Sequence, residues 1–228
     1  MPDHRSLKQR IHNGDALAIA WASLAMDRDT LMSALTEEPW DLVFVDAQHA
    51  PYDENRLVAF CQVAAEVNVP ALLRIRHTRL AFLAGNYADL GPLGILVPMV
   101  ETEATVDEAI EQFYYPPLGK RSWGPTFGYG RAAIQDREAY AEWWNIHGIL
   151  ALQIETVGAV RDIRTLAKPG VDLLLFGSND LSFSLASSPA CPYDTIEACW
   201  EHVAAETAGT GVRIAAGMLP YGRFEALK

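Results

Sequence analysis

Gly148-Ile-Leu-Ala-Leu-Gln-Ile-Glu-Thr156 and Val171-Asp-Leu-Leu-Leu-Phe-Gly-Ser-Asn-Asp-Leu-Ser182 decide how this chain is read. Each is a short apolar run that ends beside one carboxylate: Glu155 closes the first and Asp180 follows the second. Val157–Lys168 between them reads as a helix, and Pro169-Gly170 as its stop. The stretch is therefore a β-α-β unit with an acid at the C-terminal end of each strand. In a parallel sheet two such acids share one rim. A hard divalent cation takes oxygen ligands, and one or two carboxylates completed by substrate oxygens suit Mg²⁺ or Mn²⁺. The plain alternative is a capping Glu and a turn Asp, both solvated.

The same alternation runs outward along the chain. After a short leading helix, Leu7–Asn13, apolar strands are expected at Leu17–Leu24, Asp41–Asp46, Ala71–Arg76, Gly94–Val100 and Arg213–Met218. Helices are expected at Asp27–Leu35, Asp53–Val67, Leu80–Ala88, Glu103–Phe113 and Thr195–Thr207. Strands that are apolar on both faces imply a parallel sheet covered by helices. Seven repeats point to a TIM (β/α)₈ barrel formed as a single domain over residues 1–228. Gly222–Lys228 is expected to begin a helix, so the eighth β/α unit is expected to be absent from these residues. A sheet left open in that way exposes edges that invite a partner chain. Tyr114–Arg131 reads as one long rim loop.

Net charge is −11, from 18 basic and 29 acidic residues, and no basic run interrupts it. That argues against nucleic acid or an anionic membrane as partner. Three cysteines without Cys-x-x-Cys spacing indicate a reducing compartment and no zinc site. No signal-like or membrane-length apolar run is present, so a cytoplasmic location is expected. Gly128-Tyr-Gly-Arg-Ala-Ala133 matches a dinucleotide-binding pattern, but no strand precedes it and the match is rejected.

Polar residues at the strand ends of such a barrel converge on one site. Strand two supplies Asp46, Gln48 and His49, strand three Arg74 and Arg76, and strand five Gln153 and Glu155. Ser178, Asn179 and Asp180 are expected in a loop after strand six, and Asp89 lies in the connection to strand four. The set contains a base, carboxylates for a metal, and a guanidinium for a developing oxyanion, the parts needed to make an enolate. No lysine ends an assigned strand, so a Schiff base has no obvious nucleophile.

Six motifs then occur in order: Val45–Pro51, Leu72–Arg74, Leu96–Val100, Tyr115–Ser122, Gln153–Thr156 and Gly177–Ser182. From about Leu17 onward the chain resembles the class II pyruvate-dependent aldolases of the HpcH/HpaI type, on a phosphoenolpyruvate/pyruvate-type barrel. The resemblance implies a metal-dependent aldolase that interconverts a 4-hydroxy-2-oxoacid with pyruvate and an aldehyde. It implies Glu155 and Asp180 as ligands of Mg²⁺ or Mn²⁺, with Co²⁺ also admitted. It further implies His49 in proton transfer with Asp89 as its paired acid, Asp46 orienting a metal-bound water, and Arg74 on the enolate oxygen. Gln153 and the backbone of Gly177, Ser178 and Asn179 would bind pyruvate, with Trp21 walling the pocket. A homo-oligomer, a hexamer or a dimer with swapped helices, is implied as well. Gln48 departs from the family pattern, which commonly has Glu there. Two rivals stand beside this reading: a malyl- or citryl-type CoA-thioester lyase, and an inactive barrel serving as an assembly subunit.

Overall fold

The computed structural model describes residues 6–215 and 223–226. Eight strands form one curled parallel sheet: β1 Ala18–Trp21, β2 Leu42–Asp46, β3 Ala71–Arg74, β4 Gly94–Val97, β5 Ile149–Ile154, β6 Leu173–Phe176, β7 Arg213–Ala215 and β8 Arg223–Ala226. Their spatial order is β7-β6-β5-β4-β3-β2-β1-β8, and every ladder is parallel. No ladder joins β7 to β8 among the described residues. The expectation of a helix from Gly222 is thus corrected: Arg223–Ala226 is a strand, paired with β1 from Ala18↔Arg223 to Trp21↔Ala226. An eighth strand is therefore present. Arg-Phe-Glu-Ala suits a helix locally, but the open edge of β1 offers ladder hydrogen bonds that override so short a preference.

The helices are α1 Leu7–Asn13, α2 Arg28–Glu37, α3 Glu54–Glu66, α4 Ala84–Ala88, α5 Glu103–Phe113, α6 Arg137–His147, α7 Val157–Arg161, α8 Ile163–Leu166, α9 Ser178–Ala186 and α10 Ile196–Thr207. Many of their starts are written in the sequence. The side chains of Asp27, Asp53, Thr102, Thr156 and Thr195 each accept from a backbone N–H one turn on, which satisfies a donor the helix leaves free. Three details depart from expectation. Leu80–Ala88 is a 3₁₀ segment, Thr78–Leu83, continued by α4. Val157–Lys168 is split at Asp162 into α7 and α8. Beyond the loop expected at Tyr114–Arg131 lies α6, whose Asp136 cap and buried Tyr140 and Trp144 mark a helix for which no expectation was stated.

The strands are buried over most of their length, with β2, β4, β5 and β6 covered on both faces. That is the physical content of runs such as Leu42-Val-Phe-Val and Leu173-Leu-Leu-Phe. At the N-terminal rim, α1 lies against the sheet through buried Ile11. Lys8 Nζ donates to the Gly148 carbonyl at 3.0 Å and to Tyr114 Oη at 2.9 Å, and meets Asp172 at 3.0 Å. His12 Nε2 lies 2.9 Å from the same Asp172 oxygen. Asp172 is a buried hub, because the Tyr114 hydroxyl and the Leu150 N–H also donate to it. A buried carboxylate needs such partners. With the N-terminal rim occupied in this way, the C-terminal rim is left for chemistry.

Candidate active site

Asp46 and Arg74 end neighbouring strands in direct register. Arg74 Nε donates to Asp46 Oδ1 at 2.9 Å and Nη2 to Oδ2 at 2.6 Å, a bidentate fork. Arg74 Nη1 reaches the side-chain oxygen of Gln153 at 3.3 Å. The guanidinium also lies over the Phe44 ring at 5.8 Å. Burial pushes the Asp46 carboxyl up, yet the Arg74 bonds and charge and the Gln48 and His49 amides outweigh it and hold the group below its usual range. Both Asp46 oxygens are therefore engaged by protein donors, which makes this residue a fixture for the plane of Arg74.

Gln153 brings the pair next to Glu155, two residues along β5 and its end. Glu155 is only 2 % exposed. Its Oε2 accepts from the Met99 N–H at 2.8 Å. Its other face lies against Gly177, where a Cβ would come within 2.2 Å of Oε1. Burial raises the Glu155 carboxyl above its ordinary range; the Met99 amide and Arg74 pull it back in part, while the neighbouring Asp180 charge pushes it up further. Two carboxylates held together without a cation between them repel, and a divalent ion there removes that penalty.

Asp180, with Ser178 and Asn179, is not in a loop as expected; all three form the exposed first turn of α9. Gly177 caps that helix with no side-chain hydrogen bond, so the first amides of α9 face the rim without a side-chain acceptor. Trp21 ends β1, is 38 % exposed, and meets Phe44 edge-on at 6.3 Å.

His49 is exposed just past β2, and its ring makes no hydrogen bond or ion pair among the described residues. Within one chain the expected partner, Asp89, does not reach it. Asp89 follows α4 and precedes β4, which places it at the N-terminal end of the strands, while His49 follows β2 at the C-terminal end. At roughly 3.3 Å per residue a four-residue strand keeps the two rims more than about 10 Å apart. Asp89 is bound instead by Arg121 Nη2 at 2.5 Å. Burial raises the Asp89 carboxyl, and Arg121 offsets that only in part. Arg121 is itself buried, with its guanidinium 4.2 Å from the Trp144 ring centre and 4.8 Å from that of Tyr115.

Sequence reasoning missed three contacts, one in the site and two at the opposite rim. Arg121 stood inside a quoted motif without a role, Met99 contributes only its backbone, and His12 pairs across 160 residues. Among the described residues no group of three or more His, Cys, Asp or Glu is placed to hold a metal ion. The protein's offer is the Glu155–Asp180 pair alone. That suffices for a cation that keeps waters or takes substrate oxygens, and the recess at Gly177 fits the Glu155 carboxylate to that task. The donor set therefore suits Mg²⁺ or Mn²⁺ and lacks the nitrogen and sulfur ligands that favour softer metals.

A family model described as HpcH/HpaI aldolase/citrate lyase matches residues 20–216. The chain belongs to this family. It is accordingly a carbon–carbon lyase, and members of the family generally depend on a divalent metal. Among curated relatives, a hydroxypyruvate/pyruvate aldolase of Paraburkholderia phytofirmans is 26 % identical over 219 residues, covering 93 % of this chain and 82 % of that one. A 2-keto-3-deoxy-L-rhamnonate aldolase of Salmonella gallinarum is 27 % identical, covering 78 % of this chain and 66 % of the relative. Among solved structures, an HpcH/HpaI aldolase from Desulfitobacterium hafniense DCB-2 superposes with a TM-score of 0.79 at 24 % identity, covering 97 % of this chain and 90 % of that one. The parallel sheet and its helical cover are shared with that fold. No helix among the described residues is long and apolar enough to cross a membrane.

Proposed function

We propose that this family member is an aldolase that interconverts a 4-hydroxy-2-oxoacid with pyruvate and an aldehyde, using Mg²⁺ or Mn²⁺ held by Glu155 and Asp180. The observation that carries the reading is the position of Glu155. It is buried, clamped between the Met99 amide and Gly177, beside Asp180, and one side chain away from the Arg74 fork through Gln153. The relative named hydroxypyruvate/pyruvate aldolase supports the pyruvate half.

A bound divalent ion would supply Lewis-acid polarisation of the oxoacid. In the cleavage direction the C4 hydroxyl loses its proton, the C3–C4 bond breaks to release the aldehyde, and the electron pair passes to the pyruvate enolate, whose C3 then takes up a proton to give pyruvate. Arg74, held flat by Asp46, places two N–H donors and a positive charge where enolate oxygen charge develops. Gln153 holds the third edge of the same guanidinium. The uncapped amides of Ser178 and Asn179 would receive the substrate carboxylate, as helix N-termini receive anions. His49, exposed and unpaired within the described residues, is the group we assign to proton transfer at the substrate hydroxyl; Asp89 has no part in that step within one chain. Trp21 walls the same rim. The homo-oligomer implied by the resemblance belongs to this reading, and sedimentation tests it.

The deciding experiment is pyruvate release from a panel of 4-hydroxy-2-oxoacids, followed through lactate dehydrogenase, with and without EDTA. We expect release that EDTA abolishes and Mn²⁺ restores. Full activity after chelation, or in Glu155→Ala, overturns the reading.

A further inference from the structure

Met99 has a φ of +49°, in the left-handed region that a side chain with a Cβ rarely occupies. One other non-glycine residue among those described, Asn68, shares this conformation, and asparagine tolerates it far better. Nothing about methionine recommends it for such a place. The conformation persists because the turn after β4 is tied down immediately after it. Val100 N–H donates to the Gln153 carbonyl at 3.3 Å. Thr156 Oγ1 donates to Glu101 at 2.8 Å. Just before these two ties the Met99 N–H points at Glu155 Oε2, 2.8 Å away. All three bonds run from one turn to the last residues of β5 and the first beyond it.

We propose that Met99 is a positioning residue: its left-handed backbone aims one N–H at Glu155 Oε2 and so presents Oε1, beside Gly177, to the cation. A carboxylate at a buried strand end can rotate about its last torsion, which is a soft one. The Met99 amide removes that freedom from one oxygen, and the Gly177 backbone removes it from the other. The strained backbone is thus retained where it fixes a ligand, a common place for strain to be stored. The Met99 side chain, 36 % exposed, takes no part in this hold. The inference rests on the metal reading of Glu155, and the experiment separates the two.

The α-hydroxy analogue of methionine, incorporated at position 99, replaces the Pro98–Met99 amide by an ester, which deletes the N–H and weakens the Pro98 carbonyl as an acceptor. Mn²⁺ affinity is read by electron paramagnetic resonance on this variant, on Glu155→Gln and on both together. Urea unfolding of these three variants and the wild type without metal gives a double-mutant cycle. We expect Mn²⁺ affinity to fall about tenfold or more in the ester protein, as for loss of a hydrogen bond to a charged group. We also expect the cycle to show coupling of about tenfold in the unfolding constant. Met99→Gly adopts the same φ freely and keeps the N–H, so its Mn²⁺ affinity should stay within about threefold of wild type. Absence of coupling in the cycle overturns the proposal, as does an unchanged affinity in the ester protein when Glu155→Gln weakens binding. Coupling with Mn²⁺ affinity unmoved by both changes would keep the positioning role and refute the metal reading instead.

Discussion

Gly177→Ala isolates the packing of the proposed metal ligand. Gly177 has φ −89° and ψ 83°, a conformation open to alanine, so backbone strain is not what the glycine relieves. What it allows is close approach. An alanine Cβ would stand 2.2 Å from Glu155 Oε1, 2.5 Å from Cγ and 2.7 Å from Cδ. Comfortable non-bonded separation is about 3.5 Å, so the carboxylate must move by roughly 1 Å. It has little room to do so, because Met99 holds Oε2 and the residue is buried. Overpacking of this kind costs about 1–3 kcal/mol of stability. A shift of about 1 Å at a catalytic ligand costs roughly 100-fold in rate. The expected result is therefore a folded protein, less stable by that amount, with kcat/KM down about two orders of magnitude and Mn²⁺ affinity reduced. The control is Gly158→Ala in α7, where a Cβ meets Glu101 and Thr156 oxygens only at 3.7 Å. Alanine there should be neutral, or stabilising by about 0.5–1 kcal/mol, since glycine is the poorer helix former. Urea unfolding, Mn²⁺ titration and the coupled pyruvate assay read the three quantities. Gly177→Ala with wild-type stability and kcat/KM within about threefold would refute the argument that Glu155 is wedged against the residue 177 backbone.

Arg74→Lys should lower kcat more than it raises KM, because lysine cannot reproduce the fork to Asp46 or face a developing oxyanion with two donors; a change confined to KM would reduce Arg74 to a binding residue. Gln48 Oε1 is buried without a hydrogen-bond partner among the described residues, so Gln48→Glu places a charge at a spot where they offer it none, and Mn²⁺ should bind more tightly if that charge reaches the cation; weaker binding in calorimetry would exclude such proximity. Arg121→Ala leaves the half-buried Asp89 without its counter-ion and opens a hole between Tyr115 and Trp144, for an expected loss of about 3 kcal/mol in chemical unfolding; Asp89→Asn should cost less, since an amide still accepts from Arg121. Asp46 is held below its usual range, so its share of stability is present above the unfolded carboxyl value and is lost as pH falls through the lowered folded value; Asp46→Asn should flatten the acid limb of an unfolding-versus-pH curve, and an unchanged limb would show that the Arg74 fork contributes nothing there.

The fold was legible because its signal is repetitive. Apolar runs of four to six residues, most of them followed by a helix, recur often enough that errors at the ends, such as Ala71–Arg76 for Ala71–Arg74, do not alter the order of elements. The ends of β2, β3 and β5 were legible for the same reason. Asp46, Arg74, Gln153 and Glu155 each close an apolar run, and parallel strands bring such closers to one rim. What escaped was whatever the local pattern does not encode. The eighth strand reads as helix in isolation and becomes a strand through the edge of β1, a partner some 200 residues away. Met99 acts through a backbone N–H that every residue but proline has, so its identity announces nothing. The Asp172 hub draws on α1, the start of β5 and the residue after α5, which no window of sequence shows together.

Asp89 differs from these, because topology alone was enough to place it. An acid that precedes a strand in a parallel sheet lies at the opposite rim from a histidine that follows one, whatever the family pattern pairs them as. The order α4, Asp89, β4 in the chain therefore fixes the rim on which this carboxylate lies within its own chain. Its bond to Arg121 carries the same message from the energetics. A carboxylate whose charge is offset by a buried guanidinium, itself packed between Tyr115 and Trp144, is held to the loop after α5. Moving it to His49 within the same chain would break that pair and leave the Arg121 charge buried and uncompensated, at a cost of about 3–5 kcal/mol. A single exposed hydrogen bond to histidine, worth about 1 kcal/mol, does not offset that.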